Sequence, residues 1–273
     1  MKYKLIAIDM DGTLLNSQHE ISERNKVAIK SASEKGVNIV ITTGRIFTSA
    51  KYYAKLLGIT TPIIACNGAF ISEYNKNNVL YDNPMRLDDC IEILNAAEEH
   101  GMYCHLYDNQ NFYVRELKYS SRKYYEWNNR QKPEDRINIH IDKNLTQLLK
   151  DKKPEIYKMV LIDEDKSKLS NFKEIIQDNN NIEIVSSWHN NVEVMNKEVS
   201  KGNALYNLCK ILDIRSEEVI AIGDNYNDAS MFKYSGVSVA MGNAEIEIKE
   251  IADLVTDTND NDGVGKAIEN LVL

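Results

Sequence analysis

Cysteine is scarce: Cys66, Cys90, Cys104 and Cys209 are the four in 273 residues, and they stand far apart. With no C-x-x-C pair and no close Cys/His spacing, neither a zinc centre nor a disulfide framework is indicated. Long apolar runs are missing too. Stretches such as Ile39–Ile41 and Val219–Ile222 fall far short of the roughly 20 residues a membrane-spanning helix needs. Positive charge is in deficit, with 33 Lys and Arg against 41 Asp and Glu for a net −8. That balance argues against nucleic acid or an anionic membrane as a partner, although it does not forbid a local basic site. The opening Met-Lys-Tyr-Lys-Leu-Ile-Ala-Ile-Asp runs straight into a strand-like segment with no cleavable signal pattern, so a cytoplasmic location is expected. There is no internal repeat and no low-complexity tract, and the Asn-rich spots at Asn75–Asn78, Asn179–Asn181 and Asn259–Asn261 read as turns.

What is present is a globular composition, 43% hydrophobic and 27% charged. Length alone allows one large domain or two modest ones. In the first third, apolar runs at Leu5–Ile8, Val37–Ile41 and Pro62–Cys66 alternate with helical patterns at Ser22–Glu34, which has a Ser cap and is closed by Gly36, and at Ser49–Leu57, stopped by Gly58. Strand, helix, strand, helix, strand at this spacing predicts a parallel α/β unit. From about Asn83 to Asn191 the chain is richer in Tyr, Asn, Lys and Glu, and helices beside hairpin-like strand pairs predict an α+β region. The parallel pattern then resumes with an amphipathic helix at Lys201–Leu212 and further strands at Val219–Ile222, Val237–Ala240 and Leu254–Val255. The expected architecture is a doubly wound, Rossmann-like parallel-sheet core built from residues 1–82 and 192–273, interrupted by an α+β cap at residues 83–191.

Four constellations carry chemistry. Asp9 and Asp11 follow the first strand, and in an extended chain residues i and i+2 project to one side. Ligands of open α/β sheets bind beyond the carboxyl ends of strands, and two acids crowded there call for a cation or a shared proton. The bland alternative is a solvated Asp/Gly turn. Ile222-Gly223-Asp224-Asn225-Tyr226-Asn227-Asp228 also follows an apolar run; a helix starting here would stack Asp224 over Asp228, or Asp224 is an ordinary helix cap. Carboxylates converging from two strand ends are what a hard divalent ion such as Mg²⁺ requires. At the end of the second strand, Thr43-Gly44-Arg45 offers a hydroxyl and bare amides to an anion, or is a plain turn. Lys201, within Ser200-Lys201-Gly202 at a helix start, suits a phosphate, though such a lysine is more often merely solvated.

Taken jointly, Asp9-x-Asp11-Gly12-Thr13, Thr43-Gly44-Arg45, Asn67-Gly68-Ala69, Ser200-Lys201-Gly202 and Gly223-Asp224-x-x-Asn227-Asp228 resemble, in order and spacing, the haloacid dehalogenase superfamily of phosphohydrolases. The resemblance is to its Cof-like branch, which inserts a large α/β (type IIB) cap after the Thr-containing motif. It covers essentially the whole chain. The combination is specific, any single motif is not, and the cap carries no comparable signature.

The resemblance implies a Mg²⁺-dependent phosphatase for small phosphomonoesters, such as sugar phosphates or phosphorylated cofactors. Asp9 would be the nucleophile that forms an aspartyl-phosphate, and Asp11 the general acid and then base. Mg²⁺ would be held by the side chains of Asp9 and Asp224 and the backbone carbonyl of Asp11. Asp228 would support those ligands or orient Lys201. Thr43, Lys201, Asn227 and the backbone amides of Met10 and Gly44 would bind the transferring phosphoryl group. The cap would act as a lid that meets the leaving group.

Within the cap, Lys118, Arg122, Lys123, Arg130 and Lys132 interleave with Tyr119, Tyr124, Tyr125 and Trp127, but Glu116, Glu126, Glu134 and Asp135 dilute the charge, so a solvated helix face is expected. His105, His140 and His189 lack a partner at metal-ligand spacing and read as structural. Two competing readings stay open: a phosphomutase or phosphotransferase using the same aspartyl-phosphate, and a receiver-like phosphoacceptor module. The expected partner is a small phosphorylated metabolite, and the assembly a monomer or a small homo-oligomer.

Overall fold

The computed structural model describes residues 2–75, 78–187 and 189–273. The chain begins β1 (Leu5–Ile8), α1 (Glu23–Glu34), β2 (Asn38–Ile41), α2 (Phe47–Leu57), β3 (Ile63–Ala65), β4 (Phe70–Ser72) and β5 (Val79–Asp82). It continues through α3 (Leu87–Glu99), β6 (Tyr103–Tyr107), β7 (Asn111–Val114), α4 (Tyr119–Asn128), β8 (Asn138–Ile141), α5 (Leu145–Lys152), β9 (Lys158–Ile162), α6 (Lys166–Ile176), β10 (Ile182–Val185) and β11 (Asn191–Asn196). It closes with α7 (Lys201–Leu212), β12 (Val219–Gly223), α8 (Ala229–Tyr234), β13 (Val237–Ala240), α9 (Ile246–Ile251), β14 (Leu254–Val255) and α10 (Gly263–Leu271).

These elements form two compact units, one of Met1–Arg45, Ala50–Asp82 and Ser200–Leu273, the other of Ile46–Ser49 and Asn83–Val199. In the first, five strands run in the order β14-β13-β12-β1-β2, and all pairs are parallel. The central strands read Leu-Ile-Ala-Ile and Val-Ile-Ala-Ile-Gly and are buried throughout, the continuous apolar signature of strands covered on both faces. Register sets which loops meet. Ile8 pairs with both Ile41 and Ile222, so β1, β2 and β12 end level, and the residues that follow each emerge together at one edge of the sheet.

The helices form where caps and spacing favour them. Ser22 accepts a bond from the Asn25 amide at the start of α1, and Ser200 accepts one from the Asn203 amide at the start of α7, the usual satisfaction of free helix N–H groups.

The second unit is a six-stranded sheet ordered β10-β11-β9-β6-β7-β8, antiparallel except for the β7–β8 pair. One face, with Cys104, Leu106, Tyr113, Met159, Leu161 and Val192, packs into an apolar cluster with residues of α3, α5 and α6. Alternate positions turn the other way: His105 stacks on Phe112 at 4.5 Å, and α4 meets that face through Tyr119 on Tyr103 and Tyr124 on Phe112. Lys118, Arg122, Lys123, Arg130 and Lys132 are exposed, so the basic, aromatic stretch is solvated on its charged side, with Tyr119 and Tyr124 against the sheet and Tyr125 exposed.

Three expectations need correction. The run at Pro62–Cys66 is not a third strand of the parallel sheet. Its β3 joins an antiparallel sheet with β4 and β5 and touches the end of β2 by a single bridge, Thr42 to Ile64. The hairpin partners β4 and β5 are too short to read from periodicity. The return from the insertion lies at Val199/Ser200 rather than 191/192, because β11 pairs with β9 and β10 and so belongs to the second sheet. The first turn of α2 also groups with that unit. Of the expected Asn turns, Asn179–Asn181 lies in one, and Asn259–Asn261 forms a 3₁₀ turn. Lys76 and Asn77 of the Asn75–Asn78 turn lie outside the described residues.

Ile6 has no exposed surface on the central strand. Ile6→Ala is expected to lower the unfolding free energy of the first unit by about 3 kcal/mol. Urea denaturation checks this, and a loss below about 1 kcal/mol would contradict the central placement of β1.

Candidate active site

At the level edge of the parallel sheet, Asp9 leaves β1 with its amide still bonded to Ile222 O (3.0 Å). Its carboxylate receives the Lys201 ammonium at 2.5 Å, and Lys201 also meets Asp228 at 2.6 Å. The Lys201 side chain has no exposed surface. Burial alone would lower its pKa, but Asp228 and Asp9 outweigh that and hold it above the ordinary lysine range. Lys201 is therefore a buried cation rather than the solvated helix-start lysine that its position in the sequence also allows.

Asp228 is saturated with donors. One oxygen takes Lys201, the other takes the amides of Asp224 (2.9 Å) and Asn225 (3.1 Å). These bonds correct the expected stacking of Asp224 over Asp228 on a helix. Asn225 is extended, Tyr226–Asp228 is a 3₁₀ turn, and α8 starts only at Ala229. A turn folded around the Asp228 carboxylate brings the two acids together.

Asp224 accepts the Thr13 hydroxyl at 2.6 Å and has a carboxylate oxygen within 4.8 Å of one on Asp9. A Cβ at Gly12 would lie 2.4 Å from Asp224 Oδ2, and Gly12 sits at φ +83°, so only glycine lets the first acidic loop pass the second. Asp9, Asp224 and Asp228 can each turn an oxygen to within 4.8 Å of the others, a group able to hold a metal ion. Burial pushes the Asp9 carboxyl well above its ordinary range; Lys201 opposes this, and Asp228 and Asp224 add to it. Burial and Asp228 push Asp224 up to about 7, against the Thr13 bond and Lys201.

Once all three carboxyls are ionised, they face one ammonium and leave two negative charges uncompensated. All the donors are oxygen. Both properties suit one hard divalent cation.

Asp11 behaves differently from Asp9. The chain turns at Met10, whose carbonyl accepts from the Thr13 and Leu15 amides (3.3 and 2.9 Å), so the two acids do not share one environment as an extended chain predicts. Arg45 grips the Asp11 carboxylate with two bonds, Nε–Oδ2 at 2.7 Å and Nη2–Oδ1 at 2.5 Å. Burial raises the Asp11 pKa, but the charge and hydrogen bonding of Arg45 win and hold it below the usual carboxylate range. Thr43 closes the turn at Gly44 by accepting the Arg45 amide at 3.1 Å, and its own amide donates to Ile64 O. Asn227 donates from Nδ2 to Asn67 Oδ1 at 3.2 Å.

The candidate residues Asp9, Asp11, Met10, Thr43, Gly44, Lys201, Asn227, Asp224 and Asp228 thus all lie on the loops that leave β1, β2 and β12 or on the start of α7. Three of their partners, Thr13, Arg45 and Asn67, carry no role that sequence reasoning assigns. Their only signal is membership of the motifs, because each acts across at least 34 residues of sequence.

The family model for haloacid dehalogenase-like hydrolases matches residues 6–268. The chain belongs to the haloacid dehalogenase-like hydrolases. Among these hydrolases, a Bacillus subtilis (strain 168) protein named 5-amino-6-(5-phospho-D-ribitylamino)uracil phosphatase YcsE is 35% identical over 99% of this chain and 96% of its own. Pyridoxal phosphate phosphatase YbhA of Escherichia coli (strain K12) is 29% identical over 98% of both chains. The solved structure of a haloacid dehalogenase-like hydrolase from B. subtilis matches with a TM-score of 0.87 at 30% identity, covering 98% of this chain and all of that one. A receiver-like module does not fit a hydrolase family that spans both units. Among the described residues no helix is long and apolar enough to cross a membrane. His105 is buried and held neutral by burial and Lys158, with its pKa down at about 3, and His140 is bonded to Asn111.

The raised Asp224 pKa has a testable consequence. A carboxyl whose folded pKa (about 7) exceeds its unfolded value stabilises the protein while protonated, and that contribution is lost as pH rises through the folded value. Metal-free protein is therefore expected to lose stability between about pH 4 and pH 7, and the rise in Tm on adding Mg²⁺ to grow over the same window. Thermal melts with EDTA or Mg²⁺ check this; a Mg²⁺ shift constant across that range would contradict the charge count.

Proposed function

We propose that the protein is a Mg²⁺-dependent phosphatase that cleaves small phosphomonoesters through an aspartyl-phosphate on Asp9. The observation that carries this reading is the grouping at the sheet edge: Asp9 is bonded to the Lys201 ammonium and has the Asp224 carboxylate within 4.8 Å. A nucleophile needs a cation on each side of it if it is to face a dianionic phosphoryl group, because the protein as a whole is at −8 and repels that substrate.

The residues that would hold Mg²⁺ are Asp9, Asp224 and the backbone carbonyl of Asp11. When bound, the ion screens the charge between nucleophile and phosphoryl group. An Asp9 oxygen attacks phosphorus as the ester oxygen leaves, and the leaving oxygen takes a proton from Asp11. Asp11 then removes a proton from water, which attacks the acyl phosphate, releases phosphate and regenerates Asp9. The Arg45 pair holds Asp11 in the ionised form that this second step uses. A phosphoryl dianion arriving beside Asp11 raises its proton affinity and favours the acid form that the first step needs. Lys201, Thr43, Asn227 and the amides of Met10 and Gly44 bind the phosphoryl oxygens, where charge spreads in the transition state. Asp228 anchors Lys201 through the bond at 2.6 Å.

The relatives act, by name, on a ribityl phosphate and on pyridoxal phosphate, which supports a phosphorylated small metabolite, a sugar phosphate or a phosphorylated cofactor, as the substrate class here. We assign its selection to the inserted unit. A panel of such metabolites, assayed for Mg²⁺-dependent phosphate release and for isomer formation, separates hydrolysis from a mutase reaction.

Asp9→Asn is expected to abolish turnover of p-nitrophenyl phosphate while the far-UV spectrum and melting transition stay cooperative. Substantial residual Mg²⁺-dependent turnover would sink the nucleophile assignment. Lys201→Met is expected to raise KM and to lower kcat by about a hundredfold or more, the cost of losing a charged contact to the transferring group. An unchanged kcat/KM would count against its phosphate role.

A further inference from the structure

The motif Asn67-Gly68-Ala69 has no part in the chemistry above, yet its backbone is held in an uncommon conformation. Cys66, Asn67 and Gly68 are successive residues in left-handed conformation, at φ 54°, 57° and 102°. Two of the three carry side chains, and Asn67 is only 2% exposed. Non-glycine residues seldom adopt such angles, and when they persist the surroundings over-determine them. The surroundings here are the catalytic loops. The Cys66 amide donates to Arg45 O (2.9 Å) and the Asn67 amide to Thr43 O (3.0 Å). A Cβ on Gly68 would lie 2.4 Å from Ser200 O, so glycine lets this turn abut the start of α7. Asn67 Oδ1 accepts from Asn227 Nδ2 at 3.2 Å.

We propose that Asn67 is a positioning residue that sets which end of the Asn227 side chain faces the phosphoryl group. This rests on the phosphoryl contact assigned to Asn227 above. A carboxamide has one end that donates and one that accepts, and the two have nearly the same shape. Turned the wrong way, Asn227 would set a carbonyl oxygen against a phosphoryl oxygen. The Asn67 acceptor settles the choice: it takes one hydrogen of the Asn227 NH₂, so the nitrogen end stays on the Asn67 side and its second hydrogen is left for the anion. The left-handed backbone at position 67, which asparagine tolerates better than most residues, brings the Asn67 carboxamide to Asn227 while its amide bonds to Thr43. One residue thereby ties the Thr43 loop to the Asn227 loop.

The test is a double-mutant cycle on full-length protein. Glycine keeps φ near 57° without steric cost, so N67G preserves the amide bonds of Cys66 to Arg45 and of residue 67 to Thr43 and deletes the acceptor. kcat/KM for p-nitrophenyl phosphate and the Ki of inorganic phosphate are measured for the parent, N67G, N227A and N67G/N227A. N227A is expected to lose about a hundredfold in kcat/KM and N67G about tenfold, with a weaker phosphate Ki. In the N227A background N67G is expected to cost nothing further, because a positioning residue has no effect without its target. An N67G loss that persists undiminished alongside N227A, or N67G activity equal to the parent, overturns the proposal. N227A at parental kcat/KM instead removes the phosphoryl contact of Asn227, and the proposal falls with it. Should N67G fail to fold, N67A also removes the acceptor and is read through the same cycle, where additivity with N227A again overturns the proposal.

Discussion

One buried ammonium holds the site together. Lys201 lies between Asp9 and Asp228 with no exposed surface on its side chain or on that of Asp228. Moving charges out of water costs several kcal/mol per ion, and only close, fully bonded geometry repays it. Asp228 provides that geometry, since each of its oxygens is satisfied, one by Lys201 and the other by two backbone amides. The same carboxylate therefore fixes the lysine and shapes the loop that carries Asp224. Ser200 caps the helix from which Lys201 projects, so the position of the ammonium is set by rigid elements on both sides. What the arrangement leaves unbalanced is as important as what it balances, for an excess of carboxylates over ammonium suits the divalent cation proposed for the site.

The other constraint is strand register. Three parallel strands whose last paired residues, Ile8, Ile41 and Ile222, stand side by side release three loops at one height, and a crevice at the carboxyl ends of such strands is where open α/β sheets bind ligands. The loops then divide the labour of acids that look alike in the sequence. Asp9 is kept in a buried cluster of its own sign, Asp11 is partly exposed and paired with arginine, and their proton affinities move in opposite directions. A divalent cation beside Asp9 would oppose the rise in its proton affinity and favour the ionised form which the proposed nucleophilic role needs.

Much of this is legible in the order of residues alone. Continuous apolar runs locate β1, β2 and β12, caps and glycines locate α1 and α7, and the acids after the runs mark the edge that matters. The shortfalls share a cause, which is pairing between residues distant in sequence. Pro62–Cys66 carries the apolar signature of a central strand, yet β4 and β5 draw it into a hairpin sheet. Asp224 and Asp228 have helical spacing, but the Asp228 carboxylate captures the amides that would have begun a helix. A lysine at a helix start gives no local sign that it is buried, and nothing near Asn67 announces Asn227, 160 residues away. The inserted unit is readable as to type but not as to its end, because Val192–Val194 looks the same whether its neighbour is β9 or a core strand.

The lysine and the aspartate it grips are separated by 192 residues, and β1 lies against β12. During synthesis at roughly 5–20 residues per second, the first strand waits about ten seconds or more for that neighbour to leave the ribosome. All the strands of the six-stranded sheet, β6 to β11, are made in the interval. The nascent chain thus carries an apolar strand with an unpaired edge through most of its own translation, a hazard for association with other chains. The insertion that divides the core sets the length of that exposure, so the order of the chain imposes a timing on folding that the finished fold no longer displays.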